Sequence, residues 1–128
     1  MIDYVVNDKS MTAEQFLEMV NQVWPGSYDM ELTRTALSKT RNITARDGSK
    51  LVGCVRVLTD GYYFGTITEL LVIPEYQHQG IGSTLIQLVK EHTPTSLFFG
   101  AQPGKEPFYD KNGLQQGMQS YVITKRRP

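Results

Sequence analysis

One cysteine, Cys54, excludes an internal disulfide, so the fold owes nothing to sulfur cross-links. It lies in the apolar run 51–58, where a lone thiol is more often a small core residue than a nucleophile. Net charge is also missing. Thirteen Lys and Arg cancel thirteen Asp and Glu, which leaves no electrostatic case for nucleic acid. The basic tail Lys125-Arg126-Arg127 is short and reads as a solvated terminus. No apolar run is long enough for a membrane span, and no charged-then-apolar start marks a signal peptide. Without secretion, Asn42-Ile43-Thr44 matches a glycosylation acceptor by chance. The expected location is the cytoplasm. Two histidines, His78 and His92, have neither H-E-x-x-H spacing nor a cysteine partner, so no metal is expected. No serine stands in G-x-S-x-G.

What is present is enough for one domain, residues 1–128. With 40% apolar residues, a chain of 128 can bury a core unaided. The alternation at 2–6 predicts a first strand. Thr12 with Gln15 forms a capping-box pattern before a helix to Val23, and Pro25-Gly26 stops it. Asp29 caps a second helix to about Ser38. Residues 43–46, 51–58 and 62–73 read as an antiparallel meander turned at Asp47-Gly48 and Asp60-Gly61. The main helix covers 80–92. A short strand at 96–99 follows a helical crossover and should run parallel to its predecessor. Residues 107–111 read as a short helix ending at Asn112-Gly113, and 118–125 as a closing strand. The class is α/β (α+β), with a mixed, mostly antiparallel central sheet and helices on both faces.

The most informative stretch runs from Leu70 to Ile86. An apolar strand ends at Pro74, a polar loop follows, and Gly80-Ile81-Gly82 opens a helix. The first N–H groups of a helix lack internal partners and carry partial positive charge, so a phosphate is held there without lysine. Shaping a turn is the plainer use of two glycines. No G-x-x-x-x-G-K-[ST] string occurs. Leu85 stands where a dinucleotide fingerprint needs its third glycine. The pattern met is Q/R-x-x-G-x-G/A, by Gln77-His78-Gln79-Gly80-Ile81-Gly82.

With that hexapeptide, its preceding strand and Pro107-Phe108-Tyr109, the chain resembles the GNAT N-acetyltransferases over nearly its whole length. The final strands, usually a hairpin, are abbreviated here. The resemblance implies acetyl-CoA as co-substrate and transfer of its acetyl group to a primary amine. It implies that Leu70, Leu71 and Val72 offer backbone to the pantetheine arm, with an amide near Leu71 on the thioester oxygen. It implies that Gln77, His78, Gln79, Gly80, Ile81, Gly82 and Ser83 surround the diphosphate, and that Gln102 touches the arm. Glu69, an acid inside an apolar strand, is the candidate general base, and an edge or salt-bridged glutamate is its plainer reading; related enzymes often carry an acid there. Tyr109, before an Asn112-Gly113-Leu114 turn, is the candidate proton donor to the leaving thiolate, and packing is its plainer role. Leu114 replaces the family's usual aromatic.

The acceptor pocket is expected between the 24–30 connection and Tyr62-Tyr63-Phe64, whose aromatics suit an aromatic or alkyl amine. Segments 51–61 and 103–109 resemble small members related to arylalkylamine acetyltransferases, favouring a small-molecule acceptor. A homodimer is an assembly compatible with the sequence. The competing reading is a non-catalytic acyl-CoA-binding or interaction module on the same fold, since fold alone does not establish activity. A generic nucleotide binder is the third.

Overall fold

The computed structural model describes residues 1–125, so Arg126 and Arg127 of the basic tail lie outside them. Its elements follow in the order β1 (Ile2–Val5), α1 (Ala13–Val23), α2 (Met30–Lys39), β2 (Arg41–Asp47), β3 (Lys50–Thr59), β4 (Gly65–Val72), α3 (Ile81–His92) and α4 (Glu106–Lys111). A single turn of 3-10 helix, Pro74–Tyr76, joins β4 to the loop before α3.

Local chemistry starts the helices where the sequence marks them. Thr12 Oγ1 accepts from Gln15 N at 3.1 Å while Thr12 N donates to Gln15 Oε1 at 3.2 Å, a complete capping box. Asp29 accepts from Leu32 N at 2.8 Å and caps α2. Arg34 ties the two helices by pairing with Glu14 at 2.7 Å.

The four strands lie in sequence order, each antiparallel to the next. Central strand β3 is buried from Leu51 to Val57 on both faces, as a strand covered by helices on each side must be. One face meets α1: the Arg56 guanidinium lies 5.3 Å from the Phe16 ring. The other meets α3: a Cβ at Gly53 would sit 3.3 Å from Ile81 Cγ2 and 3.2 Å from the Leu71 carbonyl. Glycine at 53 therefore lets the start of α3 press against the sheet. Cys54 is fully buried in this core, and burial pushes its thiol pKa up, which suits packing rather than nucleophilic work.

Three expected strands differ. β4 begins at Gly65, not at residue 62. The Asp60 carboxylate accepts from the amides of Tyr62, Tyr63 and Phe64, which holds these residues in a turn and lowers the Asp60 pKa. Residues 96–99 form no strand; one bond, Phe98 N to Gly65 O at 2.9 Å, and a Phe64–Phe98 stack attach them to β4. The central sheet is antiparallel, and the expected parallel neighbour is represented by that single attachment. Residues 118–125 also form no strand and are exposed. Their β-branched and aromatic side chains suit a sheet, but propensity supplies no partner strand.

Candidate active site

β4 carries the centre of the site. Its register against β3 slips between Arg56 and Val57: Arg56 faces Glu69, but Val57 faces Ile67. Thr68 is thus the extra residue of a bulge, which bends a strand and redirects side chains. Beyond the bulge, Leu71 is buried while Leu70 and Val72 are half-buried. With Ile73 bonded to Val52 and Leu71 facing Cys54, the edge of β4 away from β3 presents the backbone of Leu70 and Val72. Phe98 N reaches that edge at Gly65 O and the Gln77 side chain at Val72 O, and no strand among the described residues pairs with it. An apolar groove of about 200 Å3 separates β4 and α3 from the segment that follows, lined by Ile67, Ile86, Val89, Leu97 and Phe99.

The loop after β4 is firmly tied. Ile73 N donates to Val52 O at 3.0 Å, and Pro74 then opens the 3-10 turn. Tyr76 Oη donates to Asp47 at 2.5 Å, and Lys50 pairs with Glu75. Gln77 turns its side-chain amide back onto the Val72 carbonyl at 2.9 Å and its own N–H onto Pro74 O at 3.2 Å. Both groups are thus engaged within the loop, so Gln77 acts first as its brace. Gln79 reaches the Glu75 carbonyl at 3.4 Å.

Two left-handed residues then turn the backbone into the helix: His78 at φ 65° and Gly80 at φ 86°. Glycine adopts that region without strain, whereas a β-carbon adds cost. Gly80 caps α3, and nothing lies within 4 Å of where its Cβ would be. The first helical bond is Thr84 N to Gly80 O at 3.0 Å, so Ile81, Gly82 and Ser83 have no carbonyl four residues back within the helix. Residues 77–80 are exposed. A Cβ at Gly82 would lie 3.3 Å from the Phe108 ring, so α4 packs closely beside this helix start. An anion fits here: open backbone, positive dipole end and no side chain in the way.

Glu69 faces the α1–α2 side of the sheet. Its surroundings are not apolar, as the sequence suggested. Arg56 Nε lies 3.1 Å from Glu69 Oε2, with side chains 10% and 13% exposed. The Nε–H points off that axis and makes no hydrogen bond, so the contact is an ion pair rather than an aligned bridge. Thr68 Oγ1 donates to the same oxygen at 2.8 Å. The pair forms one wall of a cleft of about 200 Å3. Helix α1 supplies Phe16, Leu17 and Val20; α2 supplies Leu32, Thr33 and Ala36; the connection between them supplies Tyr28 and Asp29. The expected lining by residues 24–30 holds for Tyr28 and Asp29. Tyr62, Tyr63 and Phe64 do not line the cleft; the Asp60 turn holds them at the surface.

Tyr109 sits on α4, half-buried, its ring edge-on to Phe99 at 5.3 Å and Phe108 at 5.1 Å. Burial raises its phenol pKa, which keeps it protonated at neutral pH. Gln102 is exposed in the loop before α4. Glu69 and Tyr109 thus lie in different settings, one in the helical cleft and one beside the groove along α3. Among the described residues, no three His, Cys, Asp or Glu are gathered as metal ligands, and no helix is long and apolar enough to cross a membrane.

Sequence reasoning missed two charged groups. Arg56 was passed over inside an apolar run; a cation and an acid on adjacent strands of a meander were the available signal. Asp8 is buried and accepts from Ser10 N and Oγ, Thr44 Oγ1 at 2.6 Å and Arg46 at 3.0 Å. Burial alone would raise its pKa, but bonds from Ser10, Thr44 and Arg46 prevail and bring it to about 2. It fastens the β1–α1 connection to β2.

A family model described as the acetyltransferase (GNAT) domain matches residues 38–116, from the end of α2 past α4. The chain belongs to the GNAT acetyltransferase family. A GNAT-family acetyltransferase from Streptococcus pneumoniae superposes with a TM-score of 0.78 at 23% identity, covering 98% of this chain and 100% of that one. A ribosomal-protein-alanine N-acetyltransferase from Brucella melitensis gives 0.73 at 17% identity, covering 97% and 99%. AAC(6')-Iy, solved with a bisubstrate analogue of CoA and acetylneamine, gives 0.75 at 14% identity, covering 98% and 99%. A Gibberella zeae protein named as a candidate acetyltransferase is 42% identical over 40 residues, 31% of this chain. That match spans only 23% of the curated relative's length. Proteins named for a ribosomal-protein alanine and solved with an acetylneamine analogue share this fold, so the fold leaves the acceptor open.

Proposed function

We propose that this GNAT protein transfers the acetyl group of acetyl-CoA to a primary amine of a small molecule by direct attack on the thioester. One observation carries the reading: a bulged, open-edged β4 leads through a braced loop into an unobstructed helix start, with Glu69 at the bulge facing a cleft.

Acetyl-CoA, when bound, supplies an activated acyl group. The amides of Ile81, Gly82 and Ser83, with the His78–Gly80 turn, hold its diphosphate. Backbone groups of Leu70 and Val72 orient the pantetheine arm as an added strand would, and Leu71, turned to β3, holds that edge in place. An amide of the free edge, at Leu70 or Val72, polarises the thioester oxygen as it gains charge, because Leu71 is turned to Cys54 of β3. A lysine-like amine is protonated at neutral pH. Glu69 takes that proton, and the freed nitrogen attacks the acyl carbon. The carbon–sulfur bond breaks, Tyr109 gives its proton to the departing sulfur, and the second proton shed by the new amide nitrogen restores the phenol. Products are an amide and free CoA thiol. Gln102 contributes a contact to the arm. The protein works in the cytoplasm, with a small amine rather than nucleic acid or membrane as partner. Light scattering decides between monomer and homodimer.

Thiol release from acetyl-CoA across an amine panel tests the reading. A pure acyl-CoA binder would release none with any amine yet still be stabilised thermally by the coenzyme. Stabilisation by NAD or ATP alone would favour a generic nucleotide binder.

A further inference from the structure

The cleft beside Glu69 carries more than a place for an amine. Resting on the acetyl-transfer reading, we propose that Tyr28 is its specificity wall and that it selects primary amines on a compact apolar body bearing no anion.

The wall is built before any ligand arrives. Tyr28 Oη donates to the Trp24 carbonyl at 2.6 Å, which folds the ring back over its own loop. Glycine at 26 lets the ring lie close: a Cβ there would stand 3.2 Å from Tyr28 Oη and 3.3 Å from Cζ, so the ring would have to give by a few tenths of an ångström. Asn21 fixes the same turn, donating to Leu17 O at 3.0 Å and accepting from Gly26 N at 3.0 Å. The loop between α1 and α2 is thus a preorganised support for one aromatic ring. Preorganisation lowers what a ligand must order on binding.

Charge around the cleft decides what enters. Its charged groups are Glu69 from β4, Arg56 from β3 and Asp29 ahead of α2; Tyr28 is its remaining titratable group. Helices α1 and α2 face it with Phe16, Leu17, Val20, Leu32, Thr33 and Ala36, which carry no charge. Arg56 is answered by Glu69 and by the Phe16 ring 5.3 Å away. The acids therefore exceed the bases by one, and an acceptor bearing a carboxylate or phosphate is disfavoured. An ammonium is drawn to Glu69, with its body against Tyr28 and Leu32. The cleft, about 200 Å3, is smaller than pockets that hold drug-sized ligands. One ring or a short alkyl chain fills that volume, whereas linked amino sugars would leave most of their body outside the open cleft.

Thiol-release kinetics on the full chain test this with phenethylamine, hexylamine, spermidine, glucosamine, β-alanine and a lysine-containing peptide. The wild type should favour phenethylamine or hexylamine by about tenfold or more in kcat/KM. Tyr28→Ala should raise KM for those two about tenfold, with kcat and the KM for acetyl-CoA little changed. Gly26→Ala should act in the same direction with the phenol intact. An unchanged amine KM in Tyr28→Ala would overturn the assignment, as would preference for spermidine, β-alanine or the peptide, while acetyl transfer itself stood. Coenzyme binding without thiol release from any amine would sink acetyl transfer and this inference together.

Discussion

Replacing Arg56 by methionine separates architecture from chemistry at Glu69. Both side chains are about nine-tenths buried, with Arg56 Nε 3.1 Å from Oε2. Removing one member of such a pair strands the other and costs about 3–5 kcal/mol. The off-axis Nε–H argues for the lower end, so Arg56→Met should cost about 3 kcal/mol. Losing the guanidinium over Phe16 is part of that cost. Glu69→Gln keeps an oxygen for Arg56 and Thr68 and should cost only about 1–2 kcal/mol. In Arg56→Met with Glu69→Leu, no charge is left stranded, so the double variant should be more stable than the sum of the singles by about 2 kcal/mol. Urea unfolding of the wild type, Arg56→Met, Glu69→Leu and the double variant gives this coupling directly. Additivity within about 0.5 kcal/mol would show that the two charges do not act as a pair, and the reasoning would fail.

Glu69→Gln and Tyr109→Phe should each cut kcat about a hundredfold while leaving coenzyme affinity nearly intact, measured by thiol release and calorimetry; unaltered turnover in both would reject the assigned roles. Gly80→Val forces a β-branched residue to φ 86° at the proposed diphosphate site, so KM for acetyl-CoA should rise about tenfold or more with the amine KM unchanged. Asp8 gives an acid-side prediction. Its folded pKa of about 2 lies below the ordinary 3.8, so its contribution is complete above pH 4 and lost as pH falls through 2. That gap is worth about 2 kcal/mol. Asp8→Asn should be less stable at neutral pH, and its denaturation midpoint should vary less between pH 5 and pH 2 than that of the wild type.

Local chemistry was legible wherever a few neighbouring residues decide the outcome. Thr12 with Gln15, Asp29 and Gly80 mark helix starts because a cap needs only its own turn of backbone. The strand, loop and glycine order around residue 80 was legible for the same reason. Residues 62–64 misled because β-propensity lost to one carboxylate two residues upstream, which holds three amides. Residues 96–99 and 118–125 misled because a strand exists only with a partner, and propensity names none.

The sequence by itself determined the family and the order of the helices and of the four paired strands, since these depend on short-range pattern. The tertiary structure decided that Glu69 meets Arg56, that Tyr28 rather than Tyr62 walls the cleft, and that Asp8 is buried beneath Arg46. Each depends on strand register or on a loop folding back, and such juxtapositions arise only once distant parts of the chain share one core.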